Sequence, residues 1–481
     1  MTRTTLLFVI FVEGFASLGI EVIALRRLVP YMGSSITVTA PTIGLFLAAL
    51  AAGYWTGGRI KTGFGARVAL NFAAAALIAG VGLSSVVVQK LFGVVGNPAA
   101  AYLLFMLLVV CPPAWLLAQT VPLLTNVLPG QRRDSIGGEM DQVGAASGLA
   151  LTASTIGSVL GASLLALVVM QRFGVSAAVL LCGASLALAL PVAGGTARRG
   201  RYATLAGGLL AVLLAVNLRP TVNALETAYA DYRTVPFKSL LPQPADAEAG
   251  RLFLVNNQRA SRLEPGNPPR RAPYIERMQQ WLLDDLHFYG REVLVLGAGG
   301  FTLSGKDTSN RYTFVDIDPN IGVVAERDFL KAPINGEFLV DDARRFIART
   351  DQRFDAIAVD VYSTLAAVPS HLVTLEFWRG LRRPLTDGGA ILINLILDSR
   401  LQQPYARNLL ATIELALGRC EVEVLNPGQP FSNVLVLCQP AAAVAEAPRI
   451  YTDELNRVDL DRGRRGYWRL FGAKKVEIGS F

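Results

Sequence analysis

Three carboxylates and a run of glycines carry the chemistry legible in this sequence. Gly297-Ala298-Gly299-Gly300 closes an apolar strand-like run, and Asp316 falls 19 residues after Gly297, at the end of the next such run. Glycines at such a turn let a cofactor approach the backbone, and an acid at that spacing accepts the ribose hydroxyls of a nucleoside. Phe301-Thr302 stand where a third glycine would be, so a pyrophosphate would be poorly cradled. That favours an adenosyl cofactor without a pyrophosphate, such as S-adenosylmethionine, over NAD. Asp341-Asp342-Ala343 after a third run place a carboxylate for an adenine amino group, with capping of the next helix as the competing role for Asp342. Asp360-Val361-Tyr362-Ser363 ends a fourth run, at the edge where open α/β sheets bind ligands.

These residues need a sheet to hold them. Apolar runs predict strands over 292–296, 312–317, 337–340, 354–361, 390–395, 420–425 and 434–437. Helical patterns fall between them, over 320–330, 342–349, 372–385 and 405–417. Alternating strands and helices, with the strands apolar throughout, imply a mainly parallel sheet covered on both faces. A helical pattern from Ala272 to about His287 precedes it. Residues 221–271 read as a small β-rich lead-in, with turns at Pro242, Pro244, Pro265, Pro268 and Pro269. The α/β domain is then 272–445, and 446–481 forms a basic tail whose Arg462, Arg464, Arg465, Lys474 and Lys475 suit either anionic lipid or solvent.

The half before residue 221 is different in kind. The chain is 52% hydrophobic, and apolar stretches of spanning length run over 5–28, 36–58, 68–89, 99–128, 147–170 and 174–193. A seventh, 203–218, is short enough to span, lie in the interface or re-enter. Residues 1–220 thus form a polytopic α-helical membrane domain of six to seven helices, in contact with the lipid bilayer. That half holds 14 Lys/Arg against 5 Asp/Glu and the remainder 31 against 32, so the net charge of +8 belongs to the helical half. The excess sits in short loops, which reads as topology and argues against nucleic acid as a partner. Arg59, Lys61, Arg67, Arg132, Arg133 and the Arg198–Arg201 cluster fall on one side with Arg3, the cytoplasmic side by the positive-inside rule. Six spans put the soluble half in the cytoplasm, the side favoured for an intracellular cofactor; seven would put it outside. Rows of small residues such as Gly157 and Gly161 predict close helix packing. Glu13 and Glu21 predict a buried partner, such as Arg26, Arg27 or Arg59, or a wet cavity for an amine or proton. Cys111, Cys182, Cys420 and Cys438 show no paired spacing, so neither a disulfide framework nor a zinc site is expected, and His287 and His371 are too few for a histidine metal centre.

The order of elements resembles the polyamine aminopropyltransferases (spermidine synthases), over about 225–440. The residues carrying the resemblance are Val293-Leu294-Val295-Leu296-Gly297-Ala298-Gly299, Phe314-Val315-Asp316-Ile317-Asp318, Asp341-Asp342-Ala343-Arg344, Phe354-Asp355-Ala356-Ile357 with Asp360, 372–377, and Leu385 with Gly388-Gly389. The helical half resembles the multi-span region of membrane-fused spermidine synthase-like proteins, at Gly14-Phe15-Ala16 with Glu21 and Arg26, Pro122-Leu123-Leu124, and Thr155-Ile156-Gly157-Ser158-Val159-Leu160-Gly161. The resemblance implies a methyltransferase-like (Rossmann-type) α/β domain after a small β domain. It also implies decarboxylated S-adenosylmethionine as donor, with Gly297, Gly299, Gly300, Asp316, Asp318, Asp341, Asp342 and Ala343 around it, Asp360 as the acid/base residue and no metal. Gln258, Tyr274, Glu276, Tyr362 and His371 are the polar candidates for the substrate pocket. A homo-oligomer is compatible with this reading. Departures are specific: Gly300 stands where the family's aspartate holds the aminopropyl ammonium, Ser363-Thr364 where an Asp-Pro holds the acceptor amine, and Ile275 where the entry motif has histidine. Three readings follow. They are aminopropyl transfer to an amine, methyl transfer from S-adenosylmethionine to a small or membrane-resident acceptor, and transport or sensing of a polyamine or nucleoside without turnover.

Overall fold

The computed structural model describes residues 2–32, 36–95, 97–125, 139–195, 198–218, 224–227, 229–237, 249–256, 258–266, 269–305, 307–362, 368–440, 451–454, 456, 458 and 461. Arg132, Arg133, Pro242, Pro244, Pro268, Ser363, Thr364 and the basic tail's Arg462, Arg464, Arg465, Lys474 and Lys475 lie outside the described residues. The chain forms two units, Met1–Thr221 with Glu226–Ala228, and Val222–Leu225 with Tyr229–Phe481.

The first unit is helical: α1 (Arg3–Met32), α2 (Ile36–Gly57), α3 (Phe64–Gly82), α4 (Ser85–Val94), α5 (Pro98–Phe105), α6 (Cys111–Ala118), α7 (Thr120–Thr125), α8 (Glu139–Leu164), α9 (Met170–Ala193) and α10 (Arg199–Asn217). Asn97 starts α5 by accepting from the amides of Ala99 and Ala100, with Pro98 in the first turn. Among the described residues six stretches are long and apolar enough to cross a membrane. The run whose role was open in the sequence is one of them, as α10, 19 residues long. Another, Ser147–Ala193, is 47 residues, about twice the ~20 a crossing needs. Gly174 interrupts it, with φ 83° and ψ 172°, a backbone conformation only glycine adopts readily.

Contacts along α1 show that the chain reverses at this break. Glu13 accepts from Ser154 at 2.9 Å, Ser158 donates to the Gly14 carbonyl at 3.2 Å, and Gly19 lies against Leu165, so α8 runs parallel to α1. Cys182 lies against the Ala16 carbonyl while Ser176 reaches Arg27, so α9 runs antiparallel to it. A methyl group at Gly14, Gly157 or Gly161 would overlap the backbone of the facing helix, the close approach that small residues permit. The expected acid–base pairing differs in detail: Arg27 pairs with Glu226 at 2.9 Å, while Glu13 is met by Ser154.

After the helices come β1 (Ala224–Glu226), whose last residue belongs to the first unit, and β2 (Asp231–Phe237), β3 (Gly250–Val255), β4 (Gln258–Glu264) and β5 (Arg270–Arg271) of the second; the five form one sheet in chain order, followed by α11 (Pro273–Gln280). Then come β6 (Glu292–Leu296), β7 (Arg311–Asp316), α12 (Ile321–Val324), β8 (Glu337–Val340), α13 (Ala343–Arg349), β9 (Phe354–Val359), α14 (Leu375–Gly380), β10 (Leu385–Asp398), α15 (Pro404–Leu417), β11 (Cys420–Val424) and β12 (Phe431–Cys438). The seven strands lie in the order β11-β12-β10-β9-β6-β7-β8. β10, β9, β6, β7 and β8 are parallel, and β12 and β11 close one edge antiparallel. Alternation along β6 sends Val293 and Val295 into one buried core and Leu294 and Leu296 into the other. Both faces of the sheet are therefore covered, as its unbroken apolar strands require.

Two expectations are corrected here. The helix expected over 372–385 is shorter at both ends: Thr374 caps its start through the Phe377 amide, and its end gives way to turns at Arg382 and Arg383 before Pro384. Leu385 already begins β10. The expectation of no disulfide is also overturned, because Cys420 and Cys438 are bonded. They are partners in the β11–β12 register, with Cα atoms 4.3 Å apart. Cross-strand register cannot be read from a spacing of 18 residues.

Candidate active site at the strand ends

The strand order reverses around β6: β7 and β8 lie to one side, β9 and β10 to the other. The carboxyl ends of β6 and β9 meet at that switch, the usual ligand crevice of an open α/β sheet. There the turn after β6 touches the residue after β9. The Asp360 amide donates to the Leu296 carbonyl at 2.9 Å, and a Cβ on Gly297 would strike the Asp360 carbonyl. Gly297 has φ 87°, so glycine is required here both for conformation and for clearance.

Asp316 closes the same turn from β7. One carboxylate oxygen accepts from the Ala298 amide and the other from the Asp318 amide, each at 3.0 Å. Two acceptor oxygens on one carboxylate are the pattern that two vicinal hydroxyls need. Burial pushes this carboxyl above the usual range against those two amides. Asp360 is partly accessible. Asn394 donates to its Oδ1 at 2.8 Å and Tyr274 to its Oδ2 at 3.0 Å. Burial raises its pKa to about 6, the two hydrogen bonds pulling the other way. Burial and the neighbouring Asp360 in turn hold the Tyr274 phenol well above its ordinary value.

The remaining candidates separate. Asp318 is fully buried, and Tyr232 and the Asn320 amide donate to its two oxygens. Asp341 accepts from the Asp342 amide and pairs with Arg345. Asp342 caps α13 through the Arg345 amide at 2.9 Å, while its second oxygen lies 3.2 Å from His371, which is exposed. Ala343 is the first, buried residue of that helix. Tyr362 donates to the Asn394 carbonyl at 2.7 Å, and Glu276 accepts from the Arg271 amide. Gln258 opens β4 opposite Val255. Gly299 adopts a left-handed conformation, φ 51°. The Gly300 amide donates to Ser261 of β4 at 2.9 Å, and the space a side chain would fill is occupied by Ser261 and Phe329.

Asn394 and Ser261 escaped the sequence reading. Asn394 had a signal: it is the one polar residue in the apolar run from Ala390 to Leu397. Its amide faces Asp360, and its oxygen accepts from Asn433 at 2.9 Å. Ser261, one of several polar residues in β4, had none.

Strand order and crevice define the second unit as a methyltransferase-like (Rossmann-type) α/β domain, preceded by a small β sheet. No family model matches the chain. It is similar to the "N-terminal histidine N-methyltransferase" of Emericella nidulans, 34% identical over 31% of this chain and 28% of that protein. It is also similar to the "Polyamine aminopropyltransferase 2" of Hyperthermus butylicus, 29% identical over 26% of this chain and 46% of that one, and to the "Polyamine aminopropyltransferase" of Vibrio vulnificus, 30% identical over 23% and 39%. The chain thus spans less than half the length of each of these relatives. Among solved structures, a "probable spermidine synthase" from Corynebacterium glutamicum ATCC 13032 is 18% identical, covering 55% of this chain and 98% of that one with a TM-score of 0.37.

Proposed function

We propose that the α/β unit is a spermidine synthase-like transferase that binds an adenosyl sulfonium nucleoside and moves its aminopropyl group to an amine. The observation that carries this is the shared location of two groups: the nucleoside-type turn at Gly297 and Asp316 touches Asp360, a carboxylate whose pKa near 6 suits a general base. In this reading Asp316 takes the ribose hydroxyls and Asp342 the adenine amino group. The donor is decarboxylated S-adenosylmethionine. The amine nitrogen attacks the carbon bound to sulfur, the C–S bond breaks with its electron pair going to sulfur, and methylthioadenosine leaves as a neutral thioether. The proton lost by nitrogen passes to Asp360, which Tyr274 and Asn394 orient. Since a sulfonium is already a good leaving group, alignment and proton removal are the work left to the protein.

One observation favours methyl transfer instead. Beside Gly300, where a carboxylate would hold the aminopropyl ammonium, Phe329 and Ser261 fill the space. Calorimetric titration with decarboxylated S-adenosylmethionine, S-adenosylmethionine and methylthioadenosine separates the readings. Tightest binding of the decarboxylated donor, lost in Asp316→Ala, supports aminopropyl transfer. Preference for intact S-adenosylmethionine supports methylation. Binding of none would reject the nucleoside site.

Multi-pass insertion of the helical unit belongs to the same proposal. Its support is the apolar side chains that face outward from the helices, among them Leu107, Leu108, Leu167, Phe173 and Leu188, in a number that water would not tolerate. The acceptor in this reading is a small amine or a membrane-resident molecule.

A further inference from the structure

We infer that the α/β unit lies on the non-cytoplasmic, oxidising side of the membrane, reversing the cytoplasmic placement expected from six spans. The first support is the path of the helices. Arg27, near the end of α1, donates to the Leu83 carbonyl beyond the end of α3, to Ser176 at the start of the antiparallel part of α9, and to Glu226, each at 2.9 Å. Asn217, the last residue of α10, donates to the Gly80 carbonyl of α3 at 2.9 Å. The ends of α1, α3 and α10 and the α8–α9 reversal therefore share one face, and Glu226 is clasped there, nine residues after α10. An odd number of crossings separates that face from the start of α1. Beyond Glu226 no described helix is long and apolar enough to cross back.

Charge orients the stack. On the face where α1 begins lie Arg59, Lys61, Arg67, Arg198, Arg199 and Arg201, together with Arg3. Among the described residues the clasp face holds Arg26, Arg27, Lys90 and Arg172, of which Arg27 is neutralised by Glu226. The positive-inside rule makes the first face cytoplasmic. The Cys420–Cys438 bond, in the other unit, is an independent observation with the same implication, since disulfides persist outside the reducing cytoplasm.

The sidedness stands on fold, charge and disulfide and does not depend on the nucleoside reading. Where that reading also holds, a further consequence follows. A sulfonium nucleoside carries a fixed charge and does not cross lipid unaided, so a transport step must supply the donor to this site.

The test uses the full chain in a bacterial host with an oxidising periplasm, fused after Phe481 to alkaline phosphatase or to a green fluorescent protein. Active phosphatase with a dark fluorescent fusion is the expected result; bright fluorescence with inactive phosphatase overturns the inference. In parallel, a Cys111→Ser/Cys182→Ser variant is treated in whole cells with maleimide-polyethylene glycol. No added mass without reductant, and two additions after a membrane-impermeant reductant, is expected. No added mass with or without that reductant, and two additions without reductant once the cells are lysed, would mean a reduced, cytoplasmic domain and overturns the inference. Should that variant fail to accumulate, the same shift is read on the unmodified chain by comparison with Cys420→Ser/Cys438→Ser.

Discussion

Asp360 is held by opposing effects, and its protonation state links stability to activity. An unfolded aspartate titrates near ~3.9, whereas burial holds this one at about 6, so the fold favours its protonated form. Ionisation therefore costs stability as pH rises through that interval, and the cost is complete above it. Asp360→Asn removes the cost: the unfolding midpoint of the α/β unit should rise by several degrees at pH 8 and stay nearly unchanged at pH 3.5, checked by thermal melts at both values. The same substitution should lower transfer ~10²- to 10⁴-fold while methylthioadenosine still binds, checked by single-turnover assay and calorimetry. For the unmodified chain kcat/KM should fall tenfold per pH unit below 6. Tyr274→Phe deletes one hydrogen bond to the carboxylate and should move that acid limb upward. The strand-end positions of Asp316, Asp342 and Asp360 were legible because each follows a short apolar run, which is a local pattern. The companion role of Asn394 was not, because facing Asp360 depends on the pairing of β9 with β10.

At the scale of elements, the turn after β6 is the most constrained. Gly297→Ala adds both left-handed strain, ~1–3 kcal/mol, and a clash with the Asp360 carbonyl. It should lower the melting temperature and weaken nucleoside binding together; loss of one without the other would mean that the turn and Asp360 are not mechanically joined. The β11–β12 edge offers a separate test. Closing 18 residues of chain with a disulfide stabilises by about 3 kcal/mol, so reductant should lower the denaturant midpoint of the unit measurably, and Cys438→Ser should abolish that sensitivity. The strand at 292–296 was legible to the residue because a short apolar run bounded by glycine has one reading. The helix at 372–385 was not, because capping by Thr374 and the proline at 384 outweigh its apolar pattern.

Across the whole molecule, the Arg27–Glu226 clasp ties the segment after α10 to the helical unit. Burial alone would raise the Glu226 carboxyl, but the Arg27 charge and the bonds from Arg27 and Ser176 outweigh it and hold it below the usual range. Its stabilising effect is thus present at neutral pH and lost as pH falls through that depressed value. Glu226→Gln leaves Arg27 buried without its counter-charge, at a cost of order 3–5 kcal/mol, and should lower the melting temperature in detergent at pH 7, the difference shrinking as pH is taken below the usual carboxylate range. By itself the sequence determined the two-part architecture, the alternating α/β order and the acids at the strand ends, because hydrophobic period and composition are local properties. Only the tertiary structure decided the reversal at Gly174, the partner of Arg27, the pairing of Cys420 with Cys438 and the approach of Asn394 and Tyr274 to Asp360. Each of these joins residues far apart in the chain, and which of them meet depends on register and helix direction, which no window of sequence contains.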